Sequence, residues 1–470
     1  MELLFIIAVV VLLYYRSLDY FWMPDDAVKR GQYLYDVPEQ LPPLDFIKTK
    51  PRKIVRVWCI ANHCLNVAFI YVLFGWKAAF LFAIHPVAVN EVCWVTGNYY
   101  AGTTLLVLAA YWCIQSFGWI GTLPALAFYT AALNSTITAL GFPLFYLMTL
   151  NPAGCVMFAP FVRYFTGDRF KKGIALRKDM RQRDFDRIEL KKVAFMTKVV
   201  GEYVSMFFLP LKMALYRKFG ENVTRAKIFY DKDCRFNEHF YWSALKISML
   251  ILVGFYVNWQ ATLWFFCMIA PHSQFKVYGQ SNPCNRYLYL PMIGLCILGA
   301  AMPSWAYWMF AGFLIYKTHL YIPAWRNQES LHKWTVTEVP NRAVSHSDYA
   351  QHVLTARVQV NDKDKDINMI NLGLYHMNTA LRMNEANKPY DIFEVYLNMA
   401  YTMSLVGNIP EATSLTDRAL ELGKEQGISD LLRNRLEEQH LNFNKFLEKN
   451  NASMVNNSHN AVPVPENAAL

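Results

Sequence analysis

Phe80 to Gly97 reads FLFAIHPVAVNEVCWVTG, an apolar run interrupted by His85, Pro86 and Glu91. Proline lacks the N–H that a continuous helix needs and clashes with the preceding turn. A carboxylate at the centre of a bilayer costs about 2.5–3.5 kcal/mol on insertion scales. Both oddities disappear if a membrane-spanning helix stops near His85 and a re-entrant or interfacial helix begins at Pro86. Irregular backbone at that depth needs protein or a wet cavity around it, which places Glu91 at a cavity open to the outer side. Six residues of helix turn through about 600°, so His85 and Glu91 do not share a face, and a joint zinc site is disfavoured. The structural alternative makes His85 a helix cap and pairs Glu91 within the bundle.

The rest of the chain supports a membrane setting. Of 470 residues, 54% are hydrophobic and 17% charged, against about 25% charged in average soluble domains. The apolar residues gather in blocks of bilayer-spanning length. The expected spans are 1–15, 54–74, 76–95, 99–117, 119–134, 135–150, 193–216, 240–259, 260–271, 287–303 and 304–321, about eleven in an all-α, polytopic bundle. The first is read as an uncleaved span, because no basic n-region or small-residue cleavage site accompanies it.

The net charge of +10 is concentrated rather than spread. Gly167–Lys192 carries ten Lys and Arg against five acids, a surplus of five in one loop between apolar blocks. That is the signature of a cytoplasmic loop, and nothing beyond the charge run points to nucleic acid. With this loop (167–192) inside, the loops 17–53 and 272–286, the His85–Asn98 bend and everything after Tyr321 fall on the opposite, outer face.

After Ile322 the character changes. YLNMAYTMSLVGNIPEATSLTDRALELG, Tyr396–Gly423, places Ala400, Ala412 and Ala419 at the spacing of a tetratricopeptide repeat. The small residues let two antiparallel helices approach closely. Gly407 and Asn408 make the turn, and Pro410 opens the second helix. Asp366–Met383 and Ile428–Leu447 read as flanking helices, in a short repeat array or a generic helical bundle. The domains are therefore 1–322 in the membrane, 323–450 as a repeat-like helical domain, and 451–470 as a disordered tail without apolar periodicity.

Other polar groups fall on the outer face. Asp25 and Asp26 follow an aromatic anchor in FWMPDDAVKRGQYL, Phe21–Leu34; as structural residues they would complement the dipole of a helix starting there. Arg286, in NRYLYLP (Asn285–Pro291), is either an interfacial anchor or a fixed guanidinium for a phosphate. Asn62, His63 and Asn66 read as interhelical hydrogen-bonding residues. Lys198 and Glu202 are spaced to pair along one helix.

The order of these features resembles the transmembrane and tetratricopeptide-repeat O-mannosyltransferases, which have the GT-C glycosyltransferase fold. HPVAVNEVCWVTG and NRYLYLP are similar to that family's most distinctive strings. RVWCIANHCLNVAFIYVLF (Arg56–Phe74) is similar to its second span, and GEYVSMFFLPLKMALY (Gly201–Tyr216) to a later one. The resemblance implies that Asp25 and Asp26 are the first-loop acids, one acting as base or binding a divalent Mn or Mg ion. It implies that Glu91 is the second acid at the cavity and that His85 and Arg286 lie near the donor phosphate. It further implies a polyprenyl- or dolichyl-phosphate sugar as donor, usually mannose, and Ser or Thr of a protein as acceptor, held by the repeat-like domain. The setting would be the endoplasmic reticulum membrane in a eukaryote or the inner membrane in a bacterium, with the tail lumenal or extracytoplasmic. The chain departs from the family pattern at Asn98–Tyr100, where a basic residue and an aspartate are usual. It departs again at Asn134–Ile137, in place of Ser-Lys-Glu, and at Asn285, in place of an acid.

The chemistry is coherent by itself. A lipid-phosphate sugar already carries a leaving group, and an alcohol needs only a base to remove its proton. Asp25 or Asp26 with Glu91 and Arg286 supplies a base and a charge for the departing phosphate. No glycine-rich phosphate loop favours a nucleotide donor. Two other classes stand beside this one: a non-catalytic membrane scaffold that recruits partners through its tail, and a transporter, which would require internal repeats and a midplane site.

Overall fold

The computed structural model describes residues 1–20, 52–152, 156–166, 190–214, 236–273, 284–358, 367–386, 393–406, 408–426, 434, 437–438 and 441. Among them every regular element is helical and no strand occurs. The chain divides into two units, 1–178 with 183–340, and 179–182 with 341–470.

The first unit opens with α1 (Glu2–Tyr14), followed by a 3₁₀ turn over Tyr15–Asp19. α2 (Arg52–Phe74) and α3 (Trp76–Ile84) are joined by Gly75 alone, at φ +86°. Only glycine enters that region without strain, so the chain reverses in one residue and the two helices pack together. α3 ends where the sequence breaks. A residue before proline avoids the helical region, and His85 is extended, at φ −74° and ψ 131°. A 3₁₀ turn, Pro86–Ala88, leads into the short α4 (Val89–Cys93).

α5 (Asn98–Phe117) follows directly, and Gly97 is the point of closest approach. A β-carbon there would lie 2.9 Å from both the Asn90 carbonyl oxygen and Cε3 of Trp94. Next come α6 (Thr122–Ser135), a 3₁₀ turn over Ile137–Leu140, α7 (Gly141–Met148), α8 (Phe158–Thr166) and α9 (Leu190–Phe208). α10 (Glu238–Val257) and α11 (Trp259–Ile269) complete the middle of the unit. α12 (Asn285–Leu288), α13 (Met292–Ala300), α14 (Ser304–Tyr321) and α15 (Gln328–Glu338) close it.

Two helices are long and apolar enough to cross a membrane, over Lys53–Phe74 and Glu238–Val257. Most other expected spans coincide with helices that are shorter or less apolar than these two. The segment 76–95 is divided at His85–Pro86, and 287–303 is interrupted at Pro291, each for want of a proline N–H. α10 carries exposed Tyr241, Trp242, Leu245, Met249, Leu252 and Phe255 along its length.

The unit extends beyond Ile322 to Pro340. Its last turn and α15 pack back through aromatic rings: Trp325 stacks on Trp94, Tyr321 meets Trp334, and the Trp334 indole donates to the Met213 carbonyl at 2.5 Å.

The second unit contains α16 (Ala343–Val358), α17 (Ile367–Ala386), α18 (Phe393–Val406) and α19 (Ile409–Gln426). Ala400, Ala412 and Ala419 are all fully buried, as helix pairs at close range require. Asn408 caps α19, its Oδ1 accepting from the Glu411 N–H at 3.3 Å. The expected tail 451–470, the basic loop 167–189 and most of the flanking helix after Ile428 lie outside the described residues.

Candidate functional site

A five-residue helix such as α4 leaves most of its C-terminal carbonyls without partners of its own, and its C-cap residue and neighbouring elements supply them. The Trp94 N–H bonds the Asn90 carbonyl at 3.0 Å. Asn98, opening α5, donates Nδ2 to the Glu91 carbonyl at 2.9 Å. Arg56, fully buried in the second turn of α2, donates Nη1 to the Cys93 carbonyl.

The Asn98 amide is itself oriented. Its Oδ1 accepts from Asn62 Nδ2 at 2.9 Å, and Asn66 Nδ2 donates to the Asn62 and Ala101 carbonyls. The Nε2 of His63 lies 3.2 Å from the Ala83 carbonyl and its Nδ1 2.7 Å from the Tyr289 hydroxyl. A carbonyl only accepts, so Nε2 carries the proton and Tyr289 donates to Nδ1. The interhelical bonding expected of Asn62, His63 and Asn66 is thus present.

The Glu91 side chain is fully buried, and neither carboxylate oxygen has a hydrogen-bond partner among the described residues. Leaving a buried acceptor unsatisfied costs about 1–3 kcal/mol, and more for a charge. On the same helix, Asn90 accepts from the Tyr321 hydroxyl at 3.3 Å.

Arg286 reaches this region from α12. Its guanidinium carbon lies 5.2 Å from the Trp94 ring centroid and 5.1 Å from that of Tyr287. Nη2 is 3.4 Å from the Tyr287 hydroxyl, and Nε has no hydrogen-bond partner among the described residues. Each aromatic is backed by another ring. Trp94 stacks on Trp325 at 6.1 Å, and Tyr287 stacks on His272 at 4.1 Å with planes 8° apart. His272 Nε2 lies 2.8 Å from Thr138 Oγ1. Burial first, then the charge of Arg286, pushes the His272 imidazole down to about 3, so the ring behind Tyr287 is neutral at any ordinary pH. Arg286 and Glu91 are within electrostatic reach of each other, yet no ion pair joins them among the described residues.

His85 is placed differently from the role that the resemblance implies. Its ring is fully buried and stacked on Phe207 at 4.7 Å. Nδ1 accepts from the Val87 N–H at 3.2 Å, and Nε2 donates to the Phe207 carbonyl at 3.1 Å. Both nitrogens are engaged by backbone, which leaves none for a phosphate. His85 is the cap of the turn that starts at Pro86.

Asp25 and Asp26 lie outside the described residues, and the divalent-ion site expected of them lies there too. Among the described residues no group of three or more His, Cys, Asp and Glu is arranged to hold a metal; the charged group within electrostatic reach of Glu91 is Arg286. Beyond Asn98, noted above for its position in the sequence, the site includes residues that the sequence did not single out: Arg56, Trp94 and Trp325. Arg56 carries the only legible signal, an arginine within an otherwise apolar run. Compared with protein-family models, curated proteins and solved structures, the chain finds no match in any of the three.

Proposed function

We propose that the chain is a membrane-embedded glycosyltransferase of GT-C type, moving a sugar, mannose foremost, from a polyprenyl or dolichyl phosphate to a hydroxyl acceptor. The observation that carries this reading is a pair of groups in one place: a buried Glu91 carboxylate, and an Arg286 guanidinium seated on two aromatic rings, neither with an ionic partner among the described residues. A substrate with one acidic hydrogen to lose and one phosphate to anchor would complete both.

In this reading the acceptor oxygen attacks the anomeric carbon, and the bond from that carbon to the phosphate oxygen breaks. Glu91 takes the hydroxyl proton; Asp25 and Asp26 are the other acids assigned to this face. The leaving phosphate gathers negative charge and is met by Arg286, whose fork of N–H donors suits phosphate oxygens. If a divalent ion takes part, Asp25 and Asp26 would hold it, and it would share the phosphate charge. The aromatic backing keeps the guanidinium in place before substrate arrives, which is where electrostatic catalysis gains most.

The membrane setting, with the spans and outer orientation read from the sequence, belongs to the same proposal. It is supported by the two helices long enough to cross a bilayer and by the exposed apolar length of α10. In this reading the helix pairs of the second unit are tetratricopeptide-like and hold the protein acceptor. The test is transfer of a radiolabelled sugar from a lipid-phosphate donor to Ser/Thr peptides in purified membranes, with Arg286→Met and Glu91→Gln as controls. Wild-type membranes that transfer nothing above empty membranes, from any polyprenyl-phosphate sugar offered, would end the reading.

A further inference from the structure

α4 is too short to hold its own orientation, yet it carries the buried Glu91 carboxylate. Two side chains from two different helices grip its backbone. Asn98 of α5 holds the Glu91 carbonyl at 2.9 Å, and Arg56 of α2 holds the Cys93 carbonyl. Grips two residues apart set both the rotation and the tilt of so short a helix. The cation also sits at the C-terminal end of α4, where the helix dipole favours positive charge.

The grip is prepared rather than incidental. Asn62 donates to Asn98 Oδ1 at 2.9 Å, so the Asn98 amide can point only its N–H group at the Glu91 carbonyl. Asn66 in turn fixes Asn62 from one turn away, through its backbone carbonyl at 2.9 Å. Gly97 removes the β-carbon that would otherwise push α5 off α4. The result is a carboxylate whose backbone is held on two sides while its own oxygens bond to no described residue.

We propose that Arg56 and Asn98 are positioning residues for the Glu91 carboxylate, acting through the Cys93 and Glu91 carbonyls of α4; the inference rests on the reading of Glu91 as a base. Neither residue touches substrate in this account. Each sets where the carboxylate points, and a displacement of about 1 Å at a reacting group can cost about 10²-fold in rate.

The test uses the full chain in membranes and two readouts. The first is the pH profile of Glu91 labelling by dicyclohexylcarbodiimide, a hydrophobic reagent for protonated carboxyls, followed by peptide mass spectrometry. The second is sugar transfer, split into kcat and KM. Asn98→Asp keeps the acceptor for Asn62 and loses the N–H; Arg56→Met keeps the stem and loses the donor; Arg56→Lys keeps a donor and a charge. The expected result is a shifted labelling profile in Asn98→Asp and Arg56→Met, with kcat down by about 10²-fold, KM little changed, and partial rescue in Arg56→Lys. Labelling that ignores both residues overturns the proposal, as does a loss in Arg56→Lys equal to that in Arg56→Met. Labelling that responds while wild-type transfer is absent sinks the transferase reading and leaves the positioning role standing. If Arg56→Met does not accumulate, Asn98→Asp and Asn62→Leu carry the same decision. Loss of folding in all three assigns these bonds to stability alone and overturns the proposal.

Discussion

The imidazole of His272 lies flat on the ring of Tyr287, centroids 4.1 Å apart, and Tyr287 in turn lies under the guanidinium of Arg286. The Nε2 of this neutral ring lies 2.8 Å from Thr138 Oγ1, which ties it to the turn over Ile137–Leu140. An unfolded histidine takes its proton near pH 6.5, whereas the buried ring resists to about 3. Between those values the unfolded chain binds more protons, so stability falls as pH drops from about 6.5 towards 3 and is flat from this source above 6.5. His272→Phe should keep the stack, flatten that slope and lose the Thr138 bond, at a cost of about 1 kcal/mol at neutral pH. Thermal unfolding of detergent-solubilised protein across pH 4 to 8 checks both; an unchanged slope in the variant would remove His272 from the account.

Arg286 should resist conservative replacement. A lysine offers a point charge but no planar fork, and it loses the fit to two aromatic faces. Arg286→Lys is expected to lower transfer by about tenfold to a hundredfold and Arg286→Met by about 10²–10³-fold, the range for removing one preorganised stabiliser of developing charge. Steady-state assays with a saturating peptide acceptor separate the two. Equal activity in Arg286→Met and wild type would remove the guanidinium from the phosphate.

Part of this site can be read from the chain and part cannot. The helix stop at His85 is legible because the effect of proline on its neighbour is local. The burial of Ala400, Ala412 and Ala419 follows from spacing within one hairpin. Glu91 stands out because a carboxylate in an apolar run is costly wherever it sits. Of the two grips on its backbone, Asn98 lies seven residues along the chain, but Arg56 and Cys93 are 37 apart, and the side-chain bond from Tyr321 to Asn90 spans 231. The same limit applied to His85, whose second partner, the Phe207 carbonyl, is 122 residues away. With only its neighbours in view, a histidine beside a proline passes equally well for a cap or a ligand.

Glu91→Gln should divide function from stability. The amide cannot accept the hydroxyl proton, so kcat is expected to fall by about 10²–10⁴-fold, the usual contribution of a positioned base. The same change replaces one buried polar group without partners among the described residues by another of the same shape. About 1 kcal/mol corresponds to about 2–4 °C in midpoint for domains of 150–250 residues, and a midpoint within that interval of wild type is expected. Differential scanning fluorimetry beside the transfer assay measures both. A variant that is both inactive and markedly less stable would mean that Glu91 holds the fold together.

The second unit carries its own pH-sensitive contact. His346 on α16 and His376 on α17 bring their Nδ1 atoms to 2.8 Å, a distance that one shared proton satisfies and two do not. Partial burial, then the neighbouring His346, lowers His376 to about 4, with the rings of Tyr349 and Tyr375 packed beside it. The unfolded histidine again binds its proton near 6.5, so the contact favours folding above that pH and loses its contribution as pH falls towards 4. Amide exchange of the full chain, corrected for the intrinsic effect of pH, should show α16 and α17 losing protection between pH 7 and 4.5. His376→Phe removes the titrating partner and keeps a ring against Tyr349, so its protection should vary less over the same interval. Identical profiles in the two proteins would place the acid sensitivity of this unit elsewhere.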